Sequence, residues 1–391
     1  MPLVPALRPF RTTIFAEMSA LAARTGAINL GQGFPDTDGP AGMLEAAQQA
    51  IRDGRNQYPP GLGILELRQA IALARERDRG QLFDPETEVL VTVGATEAVA
   101  AAVLALVTTG DEVVMLEPHY DSYPAVVALS GATHVSVALR VDNGRFALDL
   151  GDLAAAITPA TRMILLNTPY NPTGTVLTAA ELDGIAELAI AHDLIVVADE
   201  VYEYLTFDGI AHIPIGSLPG MAERTITVSS SGKTFSATGW KIGWACGPQP
   251  LIAAVRAAKQ FLTYVGGAPF QPAIAYALRQ EMPWVELMRA SLEQKRDLLS
   301  VGLVAAGFTV HQPQGAYFIV ADIRELAGAM GREPDGMAFC LDLPDLASVV
   351  AIPQQVFYDN PADGKPFVRF AFCKQDQTIR AAAANLATMR R

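Results

Sequence analysis

The chain has 391 residues, half of them hydrophobic, with 18% charged and 7% aromatic; this is enough apolar chain for one large core and a second smaller one, and it excludes a disordered or fibrous protein. A formal net charge of −12, with no basic tail or Arg/Lys stripe, argues against a nucleic-acid partner. Three widely separated cysteines (Cys246, Cys340, Cys373) and five histidines without HExxH or other ligand spacing point to a reducing compartment, no disulfide framework and no metal.

The opening MPLVPALRPF is too broken by proline for a signal peptide, and no apolar run reaches membrane-spanning length. A soluble, cytoplasmic protein without a membrane partner is expected. Residues 1–30 show helical character in FAEMSALAART and no strand of their own, and read as a segment packing at a domain junction. Residues 31–273 alternate short β-branched runs with alanine-rich helical patterns. VLVTVG, EVVMLEP, THVSVAL, TRMILLNTP, LIVVADEVY, TITVSSS and KIGWACG are seven buried-strand signals, apolar across both faces, and most are separated by helices. This predicts an α/β large domain with a mostly parallel sheet wrapped by helices. The segment between TITVSSS and KIGWACG is too short for a helical crossover, so one of these two strands should run antiparallel. Residues 274–391 begin with one long helical stretch through ALRQEMPWVELMRASLEQKRDLLSVGLVAAG. Strand patterns in FTVHQPQGAYFIVADI, ASVVAIPQQVF and PFVRFAF follow, then a terminal helix, as expected of a smaller α+β domain.

In an open α/β sheet, ligands bind outside the carboxyl ends of the strands. Those ends carry Gly94-Ala95-Thr96, a small-residue turn opening a helix; His119-Tyr120; Tyr170-Asn171-Pro172; Asp199-Glu200-Val201-Tyr202; and Ser230-Ser231-Gly232-Lys233. An anion cradle, an aromatic face, an amide, a carboxylate with a phenol, and a hydroxyl with a lysine thus meet at one edge. SGKT resembles the end of a nucleotide-binding P-loop, but that motif needs a glycine where Thr227 stands. The set as a whole suits pyridoxal phosphate, an aromatic aldehyde with a phosphate, a ring nitrogen and a phenolic oxygen.

The stretches NLGQGFPD, NQYPPGLG, NTPYNPTG, ADEVYEYLTFD, SSSGKTFSATGWKIGW and FVRFAFCK, in this order through nearly the whole chain, resemble the class I aminotransferases of fold type I, and most nearly the kynurenine and glutamine aminotransferase subgroup. MSALAARTGAINLGQGFPDTDGP and RAAKQFLTYVGGAPFQPA are most similar to the N-succinyldiaminopimelate aminotransferases of actinobacterial lysine biosynthesis. The resemblance implies roles residue by residue. Lys233 would be the catalytic lysine bonded to the cofactor's aldehyde carbon, and Asp199 would face the pyridine nitrogen. Asn171 and Tyr202 would hold the phenolic oxygen, and Tyr120 would stack on the ring. Ala95, Thr96, Ser230 and Lys241 would hold the phosphate, with Tyr58 reaching the phosphate of the neighbouring subunit in a homodimer. Lys241 stands where aspartate aminotransferases carry arginine, which keeps the charge and loses the bidentate fork. Arg369 would grip the substrate α-carboxylate, beside Gly33 and Asn171.

Each residue also has a plain reading. Asp199 suits a helix N-cap, NPTG is a good turn, Tyr120 could pack in the core, and Arg369 could belong to a structural ion pair. The implied activity is transfer of an amino group between glutamate and a 2-oxo acid, foremost N-succinyl-2-amino-6-oxopimelate. The alternatives are kynurenine, glutamine, methionine or aromatic substrates, a carbon–sulfur β-lyase, or a non-catalytic cofactor-binding module. No residue identified by spacing recognises a succinyl group.

Overall fold

The computed structural model describes residues 4–10 and 13–389; residues 1–3, 11 and 12 of the expected N-terminal segment and 390–391 of the expected small domain lie outside them. Seven strands form the large sheet: β1 (Val89–Val93), β2 (Glu112–Glu117), β3 (Thr133–Ala138), β4 (Thr161–Asn167), β5 (Ile195–Asp199), β6 (Thr225–Ser230) and β7 (Ile242–Cys246). Their spatial order is β1-β7-β6-β5-β4-β2-β3. β2 through β6 pair in parallel, whereas β7 is antiparallel to both β6 and β1. The short β6–β7 connection accounts for that reversal, since it cannot carry the chain back across the sheet.

The central strands are apolar on both faces because both faces are covered. Val114, Leu116, Ile164, Leu166, Val196 and Ala198 enter one buried cluster. Their chain neighbours Val113, Met115, Met163, Leu165 and Val197 enter another, as the two-residue period of a strand requires.

A second, antiparallel sheet is made of β8 (Thr309–His311), β9 (Phe318–Asp322), β10 (Ile352–Pro353) and β11 (Phe367–Ala371), in the order β8-β9-β11-β10. Ile319, Ala321, Val368 and Phe370 pack with Leu299 and Leu303 of helix Met282–Ala306 and with Ile379 and Leu386 of helix Asp376–Ala387. Met18 and Leu21 of helix Ile14–Thr25 join the same cluster, as do Val201, Tyr202 and Leu205 from the loop after β5.

Two sequence expectations need correction. The N-terminal thirty residues do contain a strand: Ile28–Asn29 pairs in parallel with Val349–Val350, a two-residue segment too short to show alternation. The long helical stretch is two helices, Phe270–Gln280 and Met282–Ala306, separated at Glu281. Pro283 at the start of the second explains the break, because proline lacks the N–H that a continuing helix would use. Residues 273 and 274, where the domain boundary is expected, are consecutive within helix Phe270–Gln280, which packs Ala273, Ile274 and Leu278 with Val91 and Trp244 of the large sheet.

Candidate active site

The carboxyl ends of β1, β4, β5 and β6 open onto a cavity of about 380 Å³, within the range of small-molecule sites. Of the residues singled out in the sequence, Gly33, Ala95, Thr96, Tyr120, Asn171, Asp199, Tyr202, Ser230, Lys233, Lys241 and Arg369 all line it. Tyr58 does not: its side chain is 81% exposed and packs edge-on against Tyr264.

Asp199 is the last residue of β5 and is buried at the cavity wall. The Tyr123 hydroxyl donates to its Oδ2 at 2.8 Å and the Val201 N–H to its Oδ1 at 3.2 Å. Burial nevertheless pushes the carboxyl up to about 6, against the opposing pull of these bonds and of Lys233. A carboxyl in that state takes up a positive partner readily.

Lys233 lies in the single helical turn Ser231–Thr234 that follows β6. Its Nζ donates to the Tyr317 hydroxyl at 2.7 Å, and that hydroxyl donates to the Gly33 carbonyl at 2.7 Å. Burial lowers the ammonium to about 8, helped by the charges of Lys241 and Arg369 and opposed by Asp199. Near neutral pH about a tenth of the amine is then unprotonated, far more than for an ordinary lysine, and that fraction can act as nucleophile and proton carrier.

Arg369 enters from the other sheet, on β11, where it pairs with Val320 and Ile352. It is 1% exposed. Nη1 donates to Asn171 Oδ1 at 3.1 Å and Nη2 to the Gly31 carbonyl at 3.0 Å, while Nε has no hydrogen-bond partner. The rings of Phe15, Phe318 and Phe357 surround the guanidinium at 4.3 to 5.2 Å. Burial lowers its pKa to about 10. A buried guanidinium hydrogen-bonded only to neutral oxygens, and bordering a cavity, is arranged to receive an anion.

The same cavity is also lined by a further cation, Lys241, and by backbone donors. Ala95 and Thr96 are the second and third residues of helix Gly94–Leu106, so their N–H groups have no intrahelical acceptor. Gly94 has φ +73°, and a Cβ there would lie 3.1 Å from Lys241 Nζ. Ser230 ends β6 beside this turn, and Gly243 on β7 supports it from behind. Tyr120 also lines the cavity and stands edge-on to Tyr123 at 5.6 Å, its hydroxyl pushed up to about 12 by burial. Tyr202 is buried edge-on to Tyr317 at 5.2 Å.

Three contributors were missed in the sequence. Asn167, whose Oδ1 accepts the Asn171 N–H at 2.7 Å and whose Nδ2 donates to the Asp199 carbonyl at 2.8 Å, opens the quoted NTPYNPTG stretch and could have been found there. Tyr123 and Tyr317 carry no local signal, because each meets its partner only through the fold.

Comparison with known proteins agrees with the geometry. The family model described as aminotransferase class I and II matches residues 25–386. The chain is 56% identical to a Mycobacterium tuberculosis protein named "Probable N-succinyldiaminopimelate aminotransferase", with 99% of this chain and 98% of that protein aligned. It is 39% identical to the methionine aminotransferase of Escherichia coli, over 98% of each. Among solved structures it is similar to the M. tuberculosis N-succinyldiaminopimelate aminotransferase, with TM-score 0.95, 57% identity and 99% of each chain covered. It is also similar to the Thermus thermophilus aspartate aminotransferase with maleate, with TM-score 0.90, 33% identity and 99% of each chain covered.

Proposed function

The chain belongs to the class I and II aminotransferases, and we propose that it uses pyridoxal phosphate to move an amino group between glutamate and N-succinyl-2-amino-6-oxopimelate, as a cytoplasmic homodimer. What supports the substrate is the full-length 56% identity to the mycobacterial relative named for N-succinyldiaminopimelate. What carries the chemistry is one spatial fact: a neutralisable lysine, a buried acid and an unpaired buried arginine face one cavity.

The residues fit the cofactor. The cavity is lined by Ala95 and Thr96 of a helix's first turn, whose N–H groups have no intrahelical acceptor, by the Lys241 cation beside Gly94, by a buried acid and by an amine. When bound, pyridoxal phosphate supplies a carbonyl that condenses with amines and a ring that withdraws electrons from the substrate's α-carbon.

The rest is the work of the chain. Ala95, Thr96, Ser230 and Lys241 hold the phosphate, and Tyr58 of a second copy, exposed on this one, reaches toward it. Asp199 keeps a proton on the ring nitrogen, and Tyr123 fixes the carboxylate for that task. Asn171 has its Oδ1 engaged by Arg369, which leaves its amide N–H₂, together with the Tyr202 hydroxyl, for the phenolic oxygen. Arg369 binds the substrate carboxylate, turning its orphaned Nε to use, and so places the α-hydrogen toward Lys233. Lys233 would then take up and release that proton at Nζ, with Tyr317 orienting the amine.

The test is visible absorption of the purified protein, titrated with glutamate and then with oxo acids, beside Lys233→Ala. The expected wild-type result is a visible band that glutamate bleaches and N-succinyl-2-amino-6-oxopimelate restores faster than kynurenine-, methionine- or phenylalanine-derived oxo acids. Faster restoration by another oxo acid would replace the substrate and keep the reaction class; no band after adding pyridoxal phosphate would overturn the cofactor.

A further inference from the structure

Away from the cavity, the fold assembles a group of ligand-type side chains that the sequence spacing did not reveal. His119, two residues beyond the end of β2, His134 on the edge strand β3, and Asp359, more than 200 positions later, bring ligand atoms within 4.8 Å of one another. His134 Nε2 lies 3.0 Å from Asp359 Oδ1, and His119 Nε2 lies 3.4 Å from the same oxygen. The two imidazoles stand edge-on at 6.2 Å.

The surroundings hold this group in place. Ser136, two residues from His134 and hence on the same face of β3, donates its hydroxyl to Asp359 Oδ2 at 2.6 Å. The Asp359 N–H donates to the Glu117 carboxylate at 2.9 Å, and the His119 N–H donates to the Phe357 carbonyl at 2.8 Å. Metal sites are held by such outer bonds, which aim the ligands. His119 is the telling member. Its side chain is 6% exposed, yet its Nδ1 has no hydrogen-bond partner and its Nε2 makes only the 3.4 Å contact. A buried imidazole so poorly satisfied is unusual; an ion at Nε2 would replace the long contact there, while Nδ1 would stay without a partner. His134 and Asp359 remain partly open to solvent, which provides an entry path and a position for water.

We infer that His119, His134 and Asp359 form a site for one divalent transition-metal ion of the zinc class, with two imidazoles, one carboxylate and an open position for water. Ligand atoms around tetrahedral zinc stand about 3.3 Å apart, given bonds of about 2.0–2.1 Å; the two histidine–aspartate separations, 3.0 and 3.4 Å, match this, and the two imidazole nitrogens, within 4.8 Å of one another, would close on the ion. The ion joins elements that both reach the active site. His119 precedes Tyr120, a cavity residue, and Phe357, two residues before Asp359, lays its ring 5.1 Å from the Arg369 guanidinium. Occupancy therefore ties the edge of the large sheet to the segment that packs on the arginine, and stabilises the two together. The inference does not depend on the identity of the amino-acid substrate.

The experiment is calorimetric titration of chelator-treated holoenzyme with Zn²⁺, paired with thermal melts with and without the ion, on wild type, His134→Ala and Asp359→Asn. The expected result is one ion per chain, a raised Tm, and affinity reduced at least tenfold in both variants. Equal affinity in wild type and variants, or no binding, overturns the site and leaves two imidazoles hydrogen-bonded to one carboxylate. Should a variant fail to fold, anomalous diffraction from Zn²⁺-soaked wild-type crystals decides: a peak among the three side chains supports the site, and none there removes it.

Discussion

The Lys233 amine and the Tyr317 hydroxyl are joined by a 2.7 Å hydrogen bond, although 84 positions and two different sheets separate them. The hydroxyl donates its own hydrogen bond to the Gly33 carbonyl, so the tyrosine accepts from the lysine and has no freedom to donate to it. Tyr317→Phe should retain the cofactor and its visible band. It should lower kcat about tenfold, with KM for glutamate changing less, as expected when a charge-assisted hydrogen bond of about 1.5 kcal/mol is lost in the proton-transfer step. Steady-state kinetics beside the absorbance spectrum test this; an unchanged kcat would reduce Tyr317 to packing.

Asp199 has two measurable consequences. On the proposed role of Asp199 toward the ring nitrogen, kcat of Asp199→Asn in the holoenzyme should fall at least a hundredfold with the protein still folded. In the cofactor-free chain the effect is on stability. The folded pKa of about 6 lies above the ordinary 3.8, so the folded state holds the proton more tightly and the contribution of Asp199 declines as pH rises through that window. The decline totals about 3 kcal/mol, a difference of some two pH units. Denaturant melts at pH 4 and pH 6 should therefore show wild type losing stability relative to Asp199→Asn; a constant difference would contradict the raised pKa.

Arg369 should be sensitive even to a conservative change. Arg369→Lys keeps the charge and loses the planar fork, so kcat/KM for amino acids should drop about a hundredfold, or near 3 kcal/mol. Amines without a carboxylate should lose far less. Comparing glutamate with a simple primary amine in half-transamination separates these outcomes; an equal loss for both would place Arg369 in the structure and not in recognition.

Gly243 backs the turn at Gly94-Ala95. A Cβ at this position would lie 2.5 Å from Gly94 C and 2.7 Å from Ala95 N, which are backbone atoms that cannot rotate away. Gly243→Ala should displace the turn at Ala95, weaken pyridoxal phosphate binding at least tenfold, and cost about 1–3 kcal/mol in stability through overpacking. Equilibrium reconstitution and thermal melts measure both; unchanged binding would mean the turn tolerates the shift.

Tyr58 tests the shared site. If the exposed ring completes the cavity of a second copy, Tyr58→Ala and Lys233→Ala should each be weakly active or inactive alone. Mixed and re-equilibrated, they should regain activity, because one hybrid site carries both native residues. No recovery in mixtures shown by native mass spectrometry to contain heterodimers would exclude a role across subunits.

The residues that lie next to the strand signals were legible in the chain order alone. β1, β4, β5 and β6 are short apolar runs that can only be buried strands, and Gly94-Ala95-Thr96, Asn171, Asp199 and Lys233 follow from being written at their ends. The reversal of β7 was equally local, since the length of a connection decides whether a strand can return in parallel. Short or interrupted elements were less legible: Ile28–Asn29 has too few residues to alternate, and Pro283 divides a pattern whose apolar period runs through it.

What only the tertiary structure decided are the contacts between distant segments. Tyr123 reaches Asp199 and Tyr317 reaches Lys233 because helix and sheet packing bring them there, and Arg369 faces the cavity because the second sheet docks beside the first. His119, His134 and Asp359 show the same thing most plainly: their spacing excluded a metal motif, while sheet pairing and loop return placed them together. A side chain's local neighbours follow from the chain's periodicity, but its chemical partners depend on which buried surfaces pack against one another, and no single stretch of sequence contains that choice.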